Sequence, residues 1–124
     1  MSLEAATLER TFCQSDFDRF ARLSGDDNPI HTDPEFSART HFGRTVAHGL
    51  LLCSVLRGLI EKLTPGCVLL EQSVMFPAPT FTGESMHFSV QLMESDSTGT
   101  QLSLEVKCVT SGEITCQGYC KVTK

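Results

Sequence analysis

Apolar residues follow two spacings along this chain, and the change between them divides it into a helical half and a strand half. Residues 8–13 (Leu-Glu-Arg-Thr-Phe-Cys) alternate loosely and predict a short strand, with residues 1–7 ahead of it as a flexible N-terminal tail. Ser15 is a good N-cap with Asp18 three positions on, so a helix is expected to open there. Phe17, Phe20, Ala21 and Ser24 keep helical spacing, and Gly25 ends the run. Asp33-Pro34 predicts a second short helix, with the acid as cap and proline in the first turn, carrying Phe36 and Ala38. Residues 40–47 connect through a glycine break. The strongest helix runs from His48-Gly49 to about Leu63, with Leu50, Leu51, Leu52, Cys53, Val55, Leu56, Leu59, Ile60 and Leu63 wrapping most of its circumference. That pattern predicts a buried helix, stopped by Pro65-Gly66.

Beyond that stop the period falls to two. Phe88, Val90 and Leu92 alternate with His87, Ser89 and Gln91, and Leu102, Leu104 and Val106 alternate with Ser103, Glu105 and Lys107. Strands are predicted at 67–76, 85–94, 101–110 and 113–122, divided by Pro77-Ala78-Pro79, Ser97-Thr98-Gly99 and Ser111-Gly112. One buried helix followed by an antiparallel sheet is an α+β architecture in which the sheet covers the helix. The length, 124 residues, suits a single domain.

Composition narrows the function classes. The net charge of −5 argues against nucleic-acid binding, which needs clustered Lys and Arg. No apolar run approaches the length of a membrane span, and the N-terminus lacks a secretory signal pattern. Six cysteines (Cys13, Cys53, Cys67, Cys108, Cys116 and Cys120) lie mostly in apolar runs, which predicts free, buried thiols in a reducing compartment. Cys116 and Cys120 do not suit one metal ion, because four strand residues at about 3.3 Å each separate them by roughly 13 Å. His41 and His87 read as surface or strand-face residues.

The richest chemistry lies in Ser24-Gly25-Asp26-Asp27-Asn28-Pro29-Ile30-His31. Asp26 and His31 stand five positions apart with Asn-Pro between them, and proline pushes the residue before it out of the α region. This predicts a shaped loop holding a carboxylate and an imidazole, a pair suited to moving protons. The same residues equally suit a loop held by Asx-turn hydrogen bonds without chemistry.

The segment Phe20–His31, followed by Asp33-Pro34 and Phe36-Ser37-Ala38, resembles the signature of the MaoC-like (R)-specific enoyl-CoA hydratases. Phe42–Leu51 is similar to the stretch leading into that family's central helix, and Phe76-Pro77-Ala78-Pro79 with Gly83-Glu84 is similar to its next strand and turn. The resemblance implies a hotdog fold, a curved antiparallel sheet wrapped around the helix at 48–63. It implies reversible syn hydration of a trans-2-enoyl thioester to the (R)-3-hydroxyacyl thioester, with no cofactor and no metal. Asp26 and His31 take the catalytic positions, and Asp27 is read as solvated. The Gly49 N–H takes the position of donor to the thioester oxygen, at a helix start where N–H groups lack partners. Asn28 and Ser24 support the loop, and His48 shapes the start of the helix, with a substrate or interface contact as its alternative.

Arg57 departs from the family pattern. At about 100° per residue it shares a helix side with Gly49, Cys53 and Ile60, making it a candidate for a substrate or interface contact. Arg39, Arg44 and Lys62 are candidates to meet CoA phosphates or an acyl carrier protein. The rival functions are a 3-hydroxyacyl-[acyl carrier protein] dehydratase and a hotdog thioesterase; against the latter, the central helix has no acid before Glu61. A single hotdog leaves a sheet edge open, which with the resemblance implies a homodimer. The expected location is cytoplasmic, with a mitochondrial mature form as the alternative.

Overall fold

The computed structural model describes residues 4–123. The elements in chain order are β1 (Ala5–Thr11), α1 (Gln14–Ser24), α2 (Pro29–Thr32), α3 (Pro34–Ala38), α4 (Gly49–Leu63), β2 (Leu69–Met75), β3 (Ser85–Asp96), β4 (Gly99–Cys108) and β5 (Ile114–Val122). The strands form one sheet in the order β1-β3-β4-β5-β2, with every neighbouring pair antiparallel. The period-two pattern explains its sidedness. Met86, Phe88 and Val90 of β3, Leu102, Leu104 and Val106 of β4, and Cys116, Cys120 and Val122 of β5 meet Leu52, Leu56, Leu59 and Ile60 of α4 in a single apolar core. Burying each of the large members stabilises the fold by about 1.5–3 kcal/mol relative to exposure. This is the helix-on-curved-sheet arrangement expected of a hotdog.

Three sequence expectations need correction. The N-terminal tail is not a tail from Ala5 onward: Ala5, Ala6 and Thr7 pair with Gln91, Val90 and Ser89, because β3 offers its free edge along their whole length. Residues 1–3 of that expected tail lie outside the described residues. The helix α1 starts two residues early, with Cys13 rather than Ser15 as N-cap, because the Asp16 carboxylate accepts from the Cys13 N–H at 2.9 Å; Asp18 instead accepts from the Gln14 amide. Finally, α4 is buried along one side only. Leu50 is 68% exposed and Leu51, Cys53 and Val55 are half-buried, because a five-stranded sheet covers one flank of a helix that is apolar nearly all round.

Two irregularities place side chains near the helix start. Asn28 is extended (ψ 130°), as a pre-proline residue must be, yet Pro29–Thr32 then makes one helical turn. In β5, Val106 pairs with Cys116 and Lys107 with Ile114, so Thr115 is an extra residue, a bulge.

Candidate active site

The Asp26–His31 segment is rigid because nearly every turn of it is tied down. Gly25 closes α1 in the left-handed conformation (φ 82°), donating its N–H to the Ala21 carbonyl. The Ser24 hydroxyl accepts from the Asp26 N–H at 3.1 Å, and the Asn28 side-chain oxygen accepts from the Ile30 N–H at 3.1 Å, capping α2. Asp33 caps α3 by accepting from the N–H groups of Glu35 and Phe36. Three residues that local sequence reasoning missed complete the frame. The buried Ser37 hydroxyl reaches the carbonyls of Pro29 and Ile30, the Gln14 amide donates to the His31 carbonyl at 2.8 Å, and the Thr45 hydroxyl donates to the Gln14 carbonyl oxygen at 2.7 Å. No motif spacing signals the two Gln14 contacts, which join segments 17 and 31 positions apart.

Within that frame His31 is oriented by one bond. Its Nδ1 lies 2.8 Å from the Val46 carbonyl, which can only accept, so Nδ1 carries the hydrogen and neutral His31 presents a lone pair at Nε2. Nε2 lies 3.8 Å from Oδ2 of Asp26. That gap is too long for a direct hydrogen bond and short enough for one water to touch both groups. The ring is buried while the Asp26 side chain is exposed, so the pair joins the protein interior to solvent. Asp27 is exposed.

His48 is the third member. Its Nε2 donates to the Asp26 carbonyl at 2.8 Å, and its ring lies stacked on His31. Phe20 closes the other side, with ring centroids 4.9 Å apart. Asp26, His31 and His48 bring one potential metal-ligand atom each within 4.8 Å of one another. The donor set nevertheless suits a metal poorly: stacked, near-parallel rings cannot both aim a lone pair in-plane at one ion about 2.0–2.1 Å away.

A cavity of about 530 Å³ opens beside the pair. Its walls include His31, Val46, Gly49, Leu52, Phe76 and Pro79, with the hydroxyl residues Thr80 and Thr115. Gly49 is the first residue of α4, so its N–H has no intrahelical acceptor and sits at the positive end of the helix. A Cβ there would lie 2.6 Å from the Phe76 ring, so glycine is what allows the ring to pack against this backbone. One apolar space thus meets an imidazole lone pair and a helix N-terminus. A larger depression, about 730 Å³, lies over β2, β4 and β5 and includes neither His31 nor Gly49.

The remaining candidates lie elsewhere. Arg57 bonds Glu61 at 3.4 Å and the Cys67 carbonyl at 3.3 Å, and it is not part of the cavity wall. Helical phase put it on the Gly49 side, but two turns of rise carry it away from the helix start. Arg44 pairs with Glu84 and covers the Phe81 ring, Lys62 lines a separate groove with Leu8 and Arg10, and Arg39 ends α3; none of the three lines the cavity. The six cysteines are free, but Cys13 is exposed and Cys53 and Cys67 are half-buried, correcting the expectation of uniform burial. His41 is exposed and His87 half-buried on β3.

Residues 4–114 match the family model of the MaoC like domain. The (R)-specific enoyl-CoA hydratase of Aeromonas caviae is 38% identical over 91 residues, covering 72% of this chain and 68% of that protein. The 3-hydroxybutyryl-CoA dehydratase of Methylorubrum extorquens is 31% identical over 113 residues, covering 90% of this chain and 72% of that protein. Among solved structures, the (R)-hydratase from A. caviae involved in PHA biosynthesis superposes with a TM-score of 0.90 at 31% identity, covering 99% of this chain and 96% of that one.

Proposed function

The chain belongs to the MaoC-like dehydratase family, and from that premise we propose that Asp26 and His31 add water across trans-2-enoyl-CoA to give (R)-3-hydroxyacyl-CoA, and reverse the reaction. The protein is a hydro-lyase of fatty-acid metabolism, as its relatives are. The observation that supports this use of the site is the 3.8 Å separation of Nε2 of His31 and Oδ2 of Asp26 beside a cavity that also meets Gly49.

Water is a weak nucleophile, and C2 must gain a proton as C3 gains oxygen. A water held between the carboxylate and the imidazole loses a proton to the pair, its oxygen bonds to C3, and the pair returns one proton to C2 on the same face. The pair ends with the protons it began with, so the addition is syn and reversible. A positioned acid or base of this kind contributes about 10²–10⁴-fold. As the enoyl group takes up the nucleophile, negative charge builds on the thioester oxygen, and the Gly49 N–H donates to it at the helix N-terminus. The Val46 carbonyl, held on Nδ1 of His31, stabilises the imidazolium whenever that ring carries the extra proton.

The reading extends to assembly. β2 is an edge strand, solvent-exposed along all but one of its residues, and its apolar side chains run from Leu69 to Met75 and on to Phe76 at the cavity wall. A second copy pairing along this edge covers it, so the working form is a homodimer. Among the described residues no helix is long and apolar enough to cross a membrane; action in the cytoplasm is part of this proposal.

Purified protein mixed with crotonyl-CoA loses enoyl-thioester absorbance and yields the (R) product. Activity on enoyl-acyl carrier protein alone moves the substrate to the carrier, release of free CoA makes it a thioesterase, and no reaction with any enoyl thioester overturns the reading.

A further inference from the structure

Two residues of the cavity wall carry hydroxyl groups that have no explanation in the chemistry above. Oγ1 of Thr80 and Oγ1 of Thr115 are buried with no hydrogen-bond partner among the described residues, and each residue is only 2% exposed. Leaving a buried hydroxyl unpaired costs about 1–3 kcal/mol, so two in one space ask for a partner that arrives from outside the fold.

Thr115 is placed there by a specific device. It is the extra residue of the β5 bulge, and a bulge re-aims the side chain it adds. Thr115 and Cys116 are consecutive and both buried, which regular alternation forbids, and Thr115 lines the cavity. Thr80 is fixed through its backbone, whose carbonyl accepts from the Ala47 N–H at 2.8 Å, leaving its side chain uncommitted.

Burial orders the cavity from mouth to floor. Leu50 and Phe76 are exposed at 68% and 45%, His31 is 9% exposed, and Leu52 and the two threonines are each only 2% exposed. A thioester whose reacting carbons stand beside His31 has its carrier arm toward solvent and its acyl chain toward the threonines. The other lining residues, His31 and Gly49 aside, are apolar, and no lysine or arginine is among them, so the floor suits a neutral oxygen and not a carboxylate.

We propose that Thr80 and Thr115 form a hydrogen-bonding floor that selects acyl chains bearing a neutral oxygen function, a hydroxyl or ketone, beyond the reacting double bond. This rests on the hydratase reading and narrows its substrate class. The hydroxyls donate to a ketone, or exchange donor and acceptor roles with a hydroxyl.

The test compares 6-hydroxyhex-2-enoyl-CoA with hex-2-enoyl-CoA, with the shorter 4- and 5-hydroxy homologues locating the depth of the floor. Wild-type protein is expected to give the higher kcat/KM with one of the hydroxylated chains. Thr115→Val and Thr80→Val each lower the hydroxylated-to-plain ratio, by up to about tenfold for one hydrogen bond. Thr115→Ser keeps the ratio and guards against a variant that merely misfolds. The melting temperature of Thr115→Val stays level or rises, because it loses an unpaired buried hydroxyl. A wild-type ratio of one or below for every hydroxylated chain, or a ratio unchanged in both valine variants, overturns the proposal; the second result points to the pantetheine arm as the partner. Hydration of crotonyl-CoA in the same assay tests the hydratase reading separately. Should no thioester react, calorimetric binding of 6-hydroxyhexanoyl-CoA against hexanoyl-CoA decides the floor, and equal or absent binding overturns it.

Discussion

The His48 ring lies flat against the His31 ring, centroids 3.8 Å apart and planes 22° from parallel, while its Nε2 holds the Asp26 carbonyl at 2.8 Å. One side chain therefore touches both members of the pair proposed to carry protons, the ring of one and the backbone of the other. With its Nε2–H committed, Nδ1 of His48 is an acceptor, and it is buried without a partner among the described residues. In the proposed mechanism His48 acts as a positioning residue. His48→Ala leaves the Asp26 carbonyl without its donor and removes the surface behind His31, so kcat is expected to fall by about 10²-fold, the scale of an ångström's misplacement. Stability falls too, by about 1–3 kcal/mol. A variant with lowered melting temperature and wild-type kcat assigns His48 to the scaffold alone.

The pair itself is tested more directly. Asp26→Asn keeps the shape and the acceptor for the Asn28 N–H but removes the carboxylate, and His31→Ala removes the lone pair aimed at it. Each is expected to lower hydration by about 10²–10⁴-fold. Circular dichroism verifies folding; a folded variant with near-full activity removes that residue from the mechanism.

The parts of this site that were legible in the sequence are those made within a few residues. The Asn28 cap, the Asp33-Pro34 helix start, the Gly25 stop and the start of α4 at His48-Gly49 each depend on neighbours a turn away, and local chemistry names them. The strands were legible because alternation is set by burial on one face. What tertiary contact supplies was silent. The Val46 carbonyl that fixes the His31 tautomer is a backbone group and carries no residue signature. Gln14 reads as an ordinary polar helix residue until α2 arrives beside it. Thr115 sits in a run that alternates acceptably, and only pairing with β4 exposes the extra residue. Arg57 misled because helical phase gives a side and not a depth.

Gly49 offers a different kind of test, because the obstacle to substitution is one side chain. A Cβ would stand 2.6 Å from Cζ and 2.9 Å from Cε2 of Phe76, the far end of a ring that is partly exposed. Gly49→Ala therefore folds, with the ring displaced along the cavity wall. The N–H remains but the thioester no longer approaches it closely, and kcat/KM is expected to fall by about 10²-fold. Adding Phe76→Leu relieves the clash and restores part of the loss. Wild-type kcat/KM in the single variant separates Gly49 from thioester binding.

Cys53, one turn along α4 from Gly49, differs from the other thiols. The Cys116 thiol and, less strongly, the Gln72 amide (3.7 Å) donate to its sulfur and bring its pKa down from 9.0 to about 7, against the opposing effect of burial. Cys116, as the donor in that contact and fully buried, is pushed up, and Cys120 is pushed up to about 11, chiefly by burial. Below pH 7 Cys53 is mostly the unreactive thiol, and the thiolate grows as pH rises through that value. Iodoacetamide labelling of the Cys53 peptide, read by mass spectrometry, is expected to reach half its maximal rate near pH 7. Cys116→Ala should move that midpoint upward more than Gln72→Leu does. A midpoint near 9.0, the value without these contacts, discards the contact.

The open flank of α4 and the open edge of β2 lie on connected parts of the molecule, since Gln72 of β2 reaches Cys53 of α4. Leu50, Leu70 and Met75 are apolar side chains left in solvent there, and β2 carries an unpaired row of backbone groups on its outer side. Proteins discourage pairing at such an edge with charge, as lysine does, yet Leu69–Met75 contains only Glu71. The edge thus has the character of an interface, and light scattering at working concentration is expected to give the mass of two chains. Leu70→Lys places a cation where the bulge in β2 leaves that residue out of register with β5, so it leaves the intramolecular ladder intact while opposing a second copy. It should shift the population toward monomer and lower specific activity in step, because Phe76 belongs to both the exposed edge and the cavity wall. A stable wild-type monomer would refute the dimer, and a monomeric variant with full activity would show that the cavity works without the second copy.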